Sequence, residues 1–461
     1  MTDCNTKKLS FHPLNRRQVL AAFDGGAIST DAGALLLREL EQQEGIISRF
    51  ASCFTDHRDA RRVRHGIVEM LRQRVFALAC GYEDLNDHES LRSDPLFLLL
   101  VGVQAADRML ASPSTLNRLE LSAAEGGPQE RYKRLELDEE AAAESLLETW
   151  LAQREAPGAG EPVVLDLDAT DVELHGCQEG RAFHGYYDCY CYLPLYVFCG
   201  DHLLWAQLRP SNIDPAAGAK DALARIVRRV RERRPDARIL VRGDSGFCRE
   251  EIMAWCEANG VDYVLGLARN SRLQAMIGDQ MQRVRQLSRR SGEAERAFLE
   301  LRYRTRKSWS RPRRVVAKAE HLPKGPNPRF VVTSLGPEDI GARALYEELY
   351  CARGEMENRI KETQLGLYAD RTSSRAFRAN QLRLWLSALA YALLSALRRR
   401  GLRGTEMARA QCPTIRLKLL KIGGRIRHSV RRIYLSLSEH YPYQALFRRV
   451  LSNLQVAAGY T

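Results

Sequence analysis

The segment Leu165-Asp166-Leu167-Asp168-Ala169-Thr170-Asp171 puts carboxylates into a run that otherwise reads as buried strand. Val163 to Asp168 is a short β-rich run. It directly follows Glu155-Ala-Pro-Gly-Ala-Gly-Glu-Pro162, a linker-like stretch at which the apolar period changes from helical to strand. Side chains alternate between the two faces of a strand, so Asp166 and Asp168 point the same way. A strand otherwise suited to a plain core therefore carries two acids on one face.

Downstream, Tyr187 to Phe198 and His202 to Leu208 read as strands joined by the turn Cys199-Gly200-Asp201. Ala216 to Arg234 reads as a helix ended by Pro235, Ile239 to Arg242 as a strand, Glu250 to Ala258 as a helix and Val261 to Leu267 as a strand. The order β-β-β-α-β-α-β is a meander that passes into αβ units. It predicts a mixed sheet covered by helices. From Phe298 the strand pattern returns in Arg302 to Arg306, Arg314 to Ala319 and Arg329 to Ser334, an antiparallel insertion that presents arginines on one face. Trp309, at its hairpin tip, either meets a base or packs as a strand aromatic. Arg343 to Leu365 reads as a helix, Leu384 to Leu397 as a buried core helix, and Arg398 to Arg432 as helical. Upstream, residues 1–155 read mostly as helices, with start signals at Ser29-Thr30-Asp31 and Ser112-Pro113-Ser114-Thr115 and an apolar period over Val63 to Leu78.

The chain has 461 residues, 45% apolar and 28% charged, which excludes collagen, a disulfide mini-protein and a wholly disordered chain. No signal peptide opens it, and the 14-residue charge-free run Leu384–Leu397 is shorter than a membrane span. A cytoplasmic protein that does not enter membranes is the expectation. The eleven cysteines include no CxxC pair, and Cys189-Tyr190-Cys191 reads as alternating strand positions, so free thiols are expected rather than a metal-thiolate site. The net charge of +13 is unevenly spread. From Arg371 to Thr461 there are eighteen Lys and Arg against Glu406 and Glu439, and from Arg302 to Arg329 ten against Glu320 alone. Such clustering is the footprint of nucleic-acid binding.

Two further acids stand where chemistry favours them. Asp244, in Arg242-Gly-Asp-Ser-Gly-Phe247, follows an inner strand, where ligand groups collect in sheets of this kind. Glu357 lies in Tyr350-Cys-Ala-Arg353-Gly-Glu-Met-Glu357-Asn-Arg-Ile-Lys361. Steps of three and four residues stack Tyr350, Arg353, Glu357 and Lys361 on one helix face, with Leu349, Ala352, Met356 and Ile360 on the neighbouring face. Gly354 opposes that helix by roughly 1 kcal/mol but would allow a close backbone approach. Phosphoryl transfer explains convergence of such acids. Two divalent ions about 3.5–4 Å apart activate the attacking oxygen and stabilise the leaving one. They need hard oxygen ligands, and an Arg and a Lys one turn away suit phosphate.

The chain resembles a DDE transposase of a bacterial insertion sequence, and its likeness to the insertion sequence 1380 group is close. The resemblance spans nearly the whole chain. It rests on Leu165-Asp-Leu-Asp-Ala-Thr170, Gln178-Glu-Gly180, Gly185-Tyr-Tyr187, Arg242-Gly-Asp-Ser-Gly-Phe247 and Tyr263-Val-Leu-Gly-Leu-Ala-Arg-Asn270, with Gly81-Tyr-Glu-Asp84 and Leu91-Arg-Ser-Asp-Pro95 upstream. It implies an α/β fold of the ribonuclease-H-like (retroviral-integrase) type, with a mixed sheet, flanking helices, a β-rich insertion before the last catalytic helix and a helical N-terminal region. The divisions implied are 1–155 (helical, DNA-binding), 163–270 (first part of the catalytic domain), 271–342 (insertion with basic strands), 343–397 (catalytic helix and core helix) and 398–461 (basic, helical).

Carried over residue by residue, Asp168, Asp244 and Glu357 are the implied catalytic triad and ligands of two Mg²⁺ ions, with Mn²⁺ able to substitute. Asp166 is the rival first ligand. Tyr350, Arg353 and Glu357 match the related Tyr-x-x-Arg-x-x-x-Glu signature, whose Lys falls on Gln364 here, with Lys361 as substitute one turn earlier. Tyr350, Arg353, Lys361, Arg302, Arg304, Arg306, Trp309, Arg313 and Arg314 are the expected DNA contacts. The implied activity is binding of terminal inverted repeats, strand cleavage and transfer to target DNA. It implies a homodimer on DNA at the bacterial nucleoid. The alternatives are a metal-dependent nuclease of the same fold without strand transfer and an inactive, transposase-derived DNA-binding protein.

Overall fold

In the computed structural model, Val163–Ala169 is a strand inside a nine-stranded mixed sheet. The structure describes residues 8–103, 108–122, 135–153 and 161–457. The linker-like stretch falls, at 154–160, outside the described residues. Along the chain the sheet takes up β1 (Val163–Ala169), β2 (Leu195–Cys199), β3 (His202–Gln207), β4 (Ile239–Gly243), β5 (Asp262–Leu267), β6 (Glu295–Tyr303), β7 (Arg313–Leu322) and β8 (Arg329–Thr333). In space the order is β3-β2-β1-β4-β5-β8-β7-β6, and Gly325–Pro326 pairs with β7 as the ninth strand. The neighbours β1/β4 and β4/β5 are parallel; the other pairings in the sheet are antiparallel.

Alternation gives the sheet two unlike faces. Val163, Leu165 and Leu167 of β1 join Val241, Tyr263 and Leu265 in one core, covered by helices α1 (Ala219–Arg233) and α2 (Glu250–Ala258). The period of α1 suits that face: Ala219, Ala222, Leu223, Ile226, Val227 and Val230 are buried in steps of three and four. The opposite face carries Leu240, Val264, Val316 and Val331, packed by Leu345 and Tyr346 with Val164 at its edge. Asp166 and Asp168 share the parity of Val164 and so face this second layer.

The basic strands are not a separate body. β8 pairs with β5 from Val264↔Thr333 to Leu267↔Phe330, and its Phe330 and Val332 enter one core while Val331 enters the other. Helices Ser271–Met276 and α3 (Gly278–Ser291) precede these strands. The expected strand Tyr187–Phe198 is divided. Cys189–Tyr192 pairs with Val172–Glu173 and Ala182–His184 in a small sheet, and β2 starts only after Pro194, which has no N–H to give to a ladder.

The helical segment after β8 is continuous but irregular. It runs as Ala342–Ala344, a π-helical stretch Leu345–Tyr350, a 3₁₀ turn Cys351–Arg353, α4 (Gly354–Lys361) and a second π-helical stretch Glu362–Gly366. These changes of pitch rotate the expected apolar face: Met356 and Ile360 are buried, but Ala352 is exposed. A Cβ on Gly354 would meet nothing within 4 Å, so this glycine serves no close approach; it marks the change from 3₁₀ to α pitch. α5 (Phe377–Ala396) contains most of the charge-free run and buries nearly all of it.

The chain divides into two units, residues 52–57 with 120–395 and residues 1–51 with 58–119 and 396–461. The second of these departs from the helical expectation at both ends. Leu9–Leu14 and Arg17–Ala21 form an antiparallel hairpin. Within Arg398–Arg432 the helical pieces are short and end at Leu420, and Gly424–His428 pairs with Ile433–Leu437 as a hairpin. Ile426 is buried between exposed Arg425 and Arg427, a period of two that the arginine-rich composition masks. Several tail cations are engaged inside this unit. Arg400 pairs with Glu44, Lys421 with Asp31 at 2.6 Å, and Arg416 donates to the carbonyls of Ala79 and Leu78 at 2.8 and 3.2 Å. Among the described residues, no helix is long and apolar enough to cross a membrane.

Candidate active site

β1 and β4 lie side by side and parallel, with Arg242 opposite Asp166 and Gly243 opposite Leu167. Asp244, the next residue of the chain, therefore emerges beside Asp168 at the carboxyl ends of the two strands. Asp166 does not share that position. Its Oδ1 accepts from Arg242 Nε at 2.6 Å and its Oδ2 from Nη2 at 2.7 Å, and both side chains are buried. Arg242 Nη1 donates to the Leu349 carbonyl at 2.8 Å, so this pair also moors the helical segment that carries Glu357.

Asp244 caps the 3₁₀ turn Ser245–Phe247, its Oδ1 accepting from the Gly246 N–H at 2.8 Å. That leaves Asp244 with capacity beyond its cap, because an ionised carboxylate offers about four lone-pair sites. The turn is packed tightly against β5. A Cβ on Gly266 would lie 2.6 Å from Tyr350 Oη and 2.9 Å from the Ser245 nitrogen. Only a residue without a side chain lets the Asp244 turn and Tyr350 meet there.

Arg353 is the hub of the group. Its Nη1 is 3.6 Å from Asp168 Oδ1 and its Nη2 donates to Glu357 Oε1 at 3.0 Å. Of the expected stack on one helix face, Arg353 and Glu357 thus meet, one turn apart. Tyr350 is half-buried and directed at Gly266, while Lys361 is exposed. Gln364 donates to the Asp171 carbonyl at 3.2 Å, so the residue at that position holds the chain just beyond β1.

The acids and Arg353 act on one another through charge. Burial first, then Asp244 and Glu357, push the Asp168 carboxyl up to about 6, against the opposing pull of Arg353. Burial also raises Tyr350, with Asp244 adding to it and Arg353 opposing. Tyr187 is pushed up to about 12 by burial and then by Asp171, Asp168, Tyr186 and Asp244. Burial works against the charge of Arg353, but Asp168, Tyr350, Glu357 and Asp244 hold it above its ordinary value.

This donor set suits a hard divalent cation: three carboxylates and no soft ligand, in a like-charge crowd that raises the cost of ionising its most buried member. The carboxylates are not drawn into a closed cage. Among the described residues no group of three or more His, Cys, Asp or Glu is gathered closely enough to hold an ion, and the Arg353 guanidinium stands between Asp168 and Glu357.

The expected DNA contacts in the basic strands divide in two. Arg302, Arg304 and Arg306 are exposed. Trp309, Arg313 and Arg314 are taken up by the fold. Trp309 is 6% exposed and packs edge-on to Tyr303 at 5.7 Å. Arg313 bonds Glu250 and Glu257 of α2, at 2.6 and 2.7 Å for the shorter contact to each. Arg314 bonds Glu300 at 2.6 and 2.8 Å and three carbonyls, of Leu335, Gly336 and Ile340. These charges answer acids on adjacent elements, which a count along the sequence does not reveal.

Two contributors were not assigned from sequence: Arg242 and Gly266. Each lies inside a quoted motif, yet its part depends on a neighbour in the sheet or across the layer. Arg242 gave the one usable signal, since it shares the strand face of Asp166 at the register partner's position.

A family model described as Transposase DDE domain group 1 matches residues 11–458. Among solved structures, the chain is similar to a cryo-EM structure of a piggyBac transposase synaptic complex with hairpin DNA. The TM-score is 0.42, with 10% sequence identity, covering 85% of this chain and 80% of that one. No curated protein matches the chain.

Proposed function

The chain belongs to the transposase DDE domain group 1 family, and on that premise we propose that it cleaves and joins DNA at the ends of a bacterial mobile element of the insertion sequence 1380 group. Asp168, Asp244 and Glu357 are the catalytic carboxylates. The observation that carries this reading is the meeting of Asp168, Asp244 and the Arg353–Glu357 pair at the carboxyl ends of β1 and β4. The sheet order β3-β2-β1-β4-β5, with β1, β4 and β5 parallel, supports a ribonuclease-H-like catalytic core.

The three carboxylates would hold divalent ions, two Mg²⁺ or Mn²⁺, which supply an activated attacking oxygen and a stabilised leaving oxygen. The chain's own residues do the rest. The Asp166–Arg242 pair keeps the Glu357 segment seated through the Leu349 carbonyl. Tyr350 and the Asp244 turn are held in register by the absence of a side chain at Gly266. Exposed Arg302, Arg304, Arg306 and Lys361, with Arg425, Arg427, Arg431 and Arg432 around the hairpin Gly424–His428/Ile433–Leu437, neutralise phosphates of the inverted repeats and the target. The active species is a homodimer on DNA, associated with the nucleoid.

The test is an assay with purified protein, Mg²⁺ and DNA carrying the inverted repeats that flank its gene, wild type beside Glu357→Gln, with cleaved and joined products scored separately. Cleavage at the repeat ends followed by joining, both abolished in the variant, is the expected result. Cleavage without joined product would make the protein a nuclease, and binding without cleavage a silent descendant.

A further inference from the structure

One of the closest charged groups to the site's carboxylates is a cation of the chain itself. The Arg353 guanidinium is half-buried and spans two of the acids, with Nη2 bonded to Glu357 Oε1 at 3.0 Å and Nη1 at 3.6 Å from Asp168 Oδ1. Nη1 is buried and has no hydrogen-bond partner among the described residues, so its contact with Asp168 is one of charge and not of a formed bond. Asp168 is 17% exposed, whereas Glu357 is 51% exposed and leans from α4 toward the arginine and solvent.

We propose that Arg353 is the built-in counter-ion of the carboxylate cluster, and that a divalent cation must displace its guanidinium from Asp168 and Glu357 to bind. This rests on the cation reading of the site given above. The physical ground is competition for shared oxygens. An oxygen within a few ångströms of a guanidinium cannot also face a dipositive ion without strong like-charge repulsion. The arginine is placed for a reversible exchange. Its bond to Glu357 is an ordinary contact one turn apart, weak where exposed. Its contact with Asp168 is long, and its own segment lies between two π-helical stretches, Leu345–Tyr350 and Glu362–Gly366, whose irregular pitch leaves the backbone two places to adjust. Once displaced, Arg353 keeps its charge at the rim of the site. It is therefore a positioning residue whose release is coupled to cation entry.

The experiment is calorimetric titration of Mn²⁺ into the full-length protein without DNA, for wild type, Arg353→Gln and Arg353→Lys, with thermal unfolding of each protein recorded alongside. Arg353→Gln removes the competing charge and should bind Mn²⁺ on the order of tenfold more tightly, the low end of the worth of a charge-assisted contact. Arg353→Lys keeps the charge but cannot span both carboxylates, and should fall between the two. If the Gln variant does not fold, the Lys variant alone still decides, since the proposal requires it to exceed wild type. Affinity that is unchanged or weakened in the folded variants overturns the counter-ion role and leaves the cation site standing. Absence of Mn²⁺ binding in wild type and variants overturns both.

Discussion

Asp166 and Arg242 sit opposite each other on adjacent parallel strands and close a two-pronged ion pair, at 2.6 and 2.7 Å, on the sheet face that carries the candidate site. The side chains are 6% and 11% exposed, so neither charge can turn to water if its partner is removed. The neighbouring acid, Asp168, is placed with Asp244 and Arg353 instead. Two acids of one strand face thus do different work.

That contrast yields the first prediction. Asp166→Asn strands the Arg242 charge in the interior and should cost about 3–5 kcal/mol of stability. Asp168→Asn removes one member of a like-charge crowd and should leave stability within about 1 kcal/mol of wild type while abolishing DNA cleavage. Urea unfolding of both variants checks this. Equal stability losses would reject the division of labour.

Gly266 provides a second. Gly266→Ala would set a methyl 2.6 Å from Tyr350 Oη and 2.9 Å from the Ser245 nitrogen, and the latter is backbone that cannot swing aside. The Asp244 turn and the Tyr350 segment must separate, so cleavage should fall by on the order of 10²-fold, the scale of a small misplacement of catalytic groups. Single-turnover cleavage rates compared with equilibrium DNA binding would show it. An unchanged rate would mean that the turn tolerates the shift.

The acid side of the stability curve gives a third. Burial alone would raise Glu257, but bonds from Arg313, Arg311 and Tyr263 hold it down at about 2, below its ordinary 4.5. A group depressed in the folded state contributes stability that is complete above its unfolded value and lost as pH falls toward its folded one. Wild type should therefore lose on the order of 2 kcal/mol through this group between about pH 5 and pH 2. Glu257→Gln should be less stable at neutral pH and lose correspondingly less in that window, as read from urea midpoints. Parallel curves for the two proteins would exclude the assignment.

The basic strands supply the fourth. Arg302, Arg304 and Arg306 are exposed, and replacing all three by Gln should reduce the salt slope of duplex binding by about 2.7, near 0.9 for each phosphate no longer neutralised. Trp309→Ala should act differently. Truncating a buried aromatic costs about 3–5 kcal/mol, so it should lower thermal stability and leave the salt slope of the folded fraction unchanged. Binding titrations from about 50 to about 200 mM salt separate the two effects.

The core order of elements was legible because it depends on local pattern. The period-two run at β1, the apolar period of α1 and the short strands β4 and β5 are properties of neighbouring residues, and they emerge close to the expected places. The small sheet around Cys189–Tyr192 and the hairpins at Leu9–Ala21 and Gly424–Leu437 were not, because Pro194, Asn15 and a scatter of exposed arginines interrupt or disguise the alternation. The arginine clusters were visible as composition, but their use was not. Arg313, Arg314, Arg400 and Arg416 are bound to partners on other elements, while Arg302, Arg304 and Arg306 face solvent.

Sequence alone determined which residue types stand at the strand ends and on the helix that follows, because strand alternation and helical spacing follow from covalent geometry. Alternation also placed Asp166 and Asp168 on one face without distinguishing them, and the family resemblance preferred Asp168. Only the tertiary structure decided what each meets. The parallel register of β1 and β4 sets Arg242 against Asp166 and Asp244 beside Asp168, and the layer above brings Arg353 between Asp168 and Glu357. Charge acts over a few ångströms of space and not along the chain. A residue's role in this site is therefore set by which oxygen lies nearest once the sheet and its covering segment have packed.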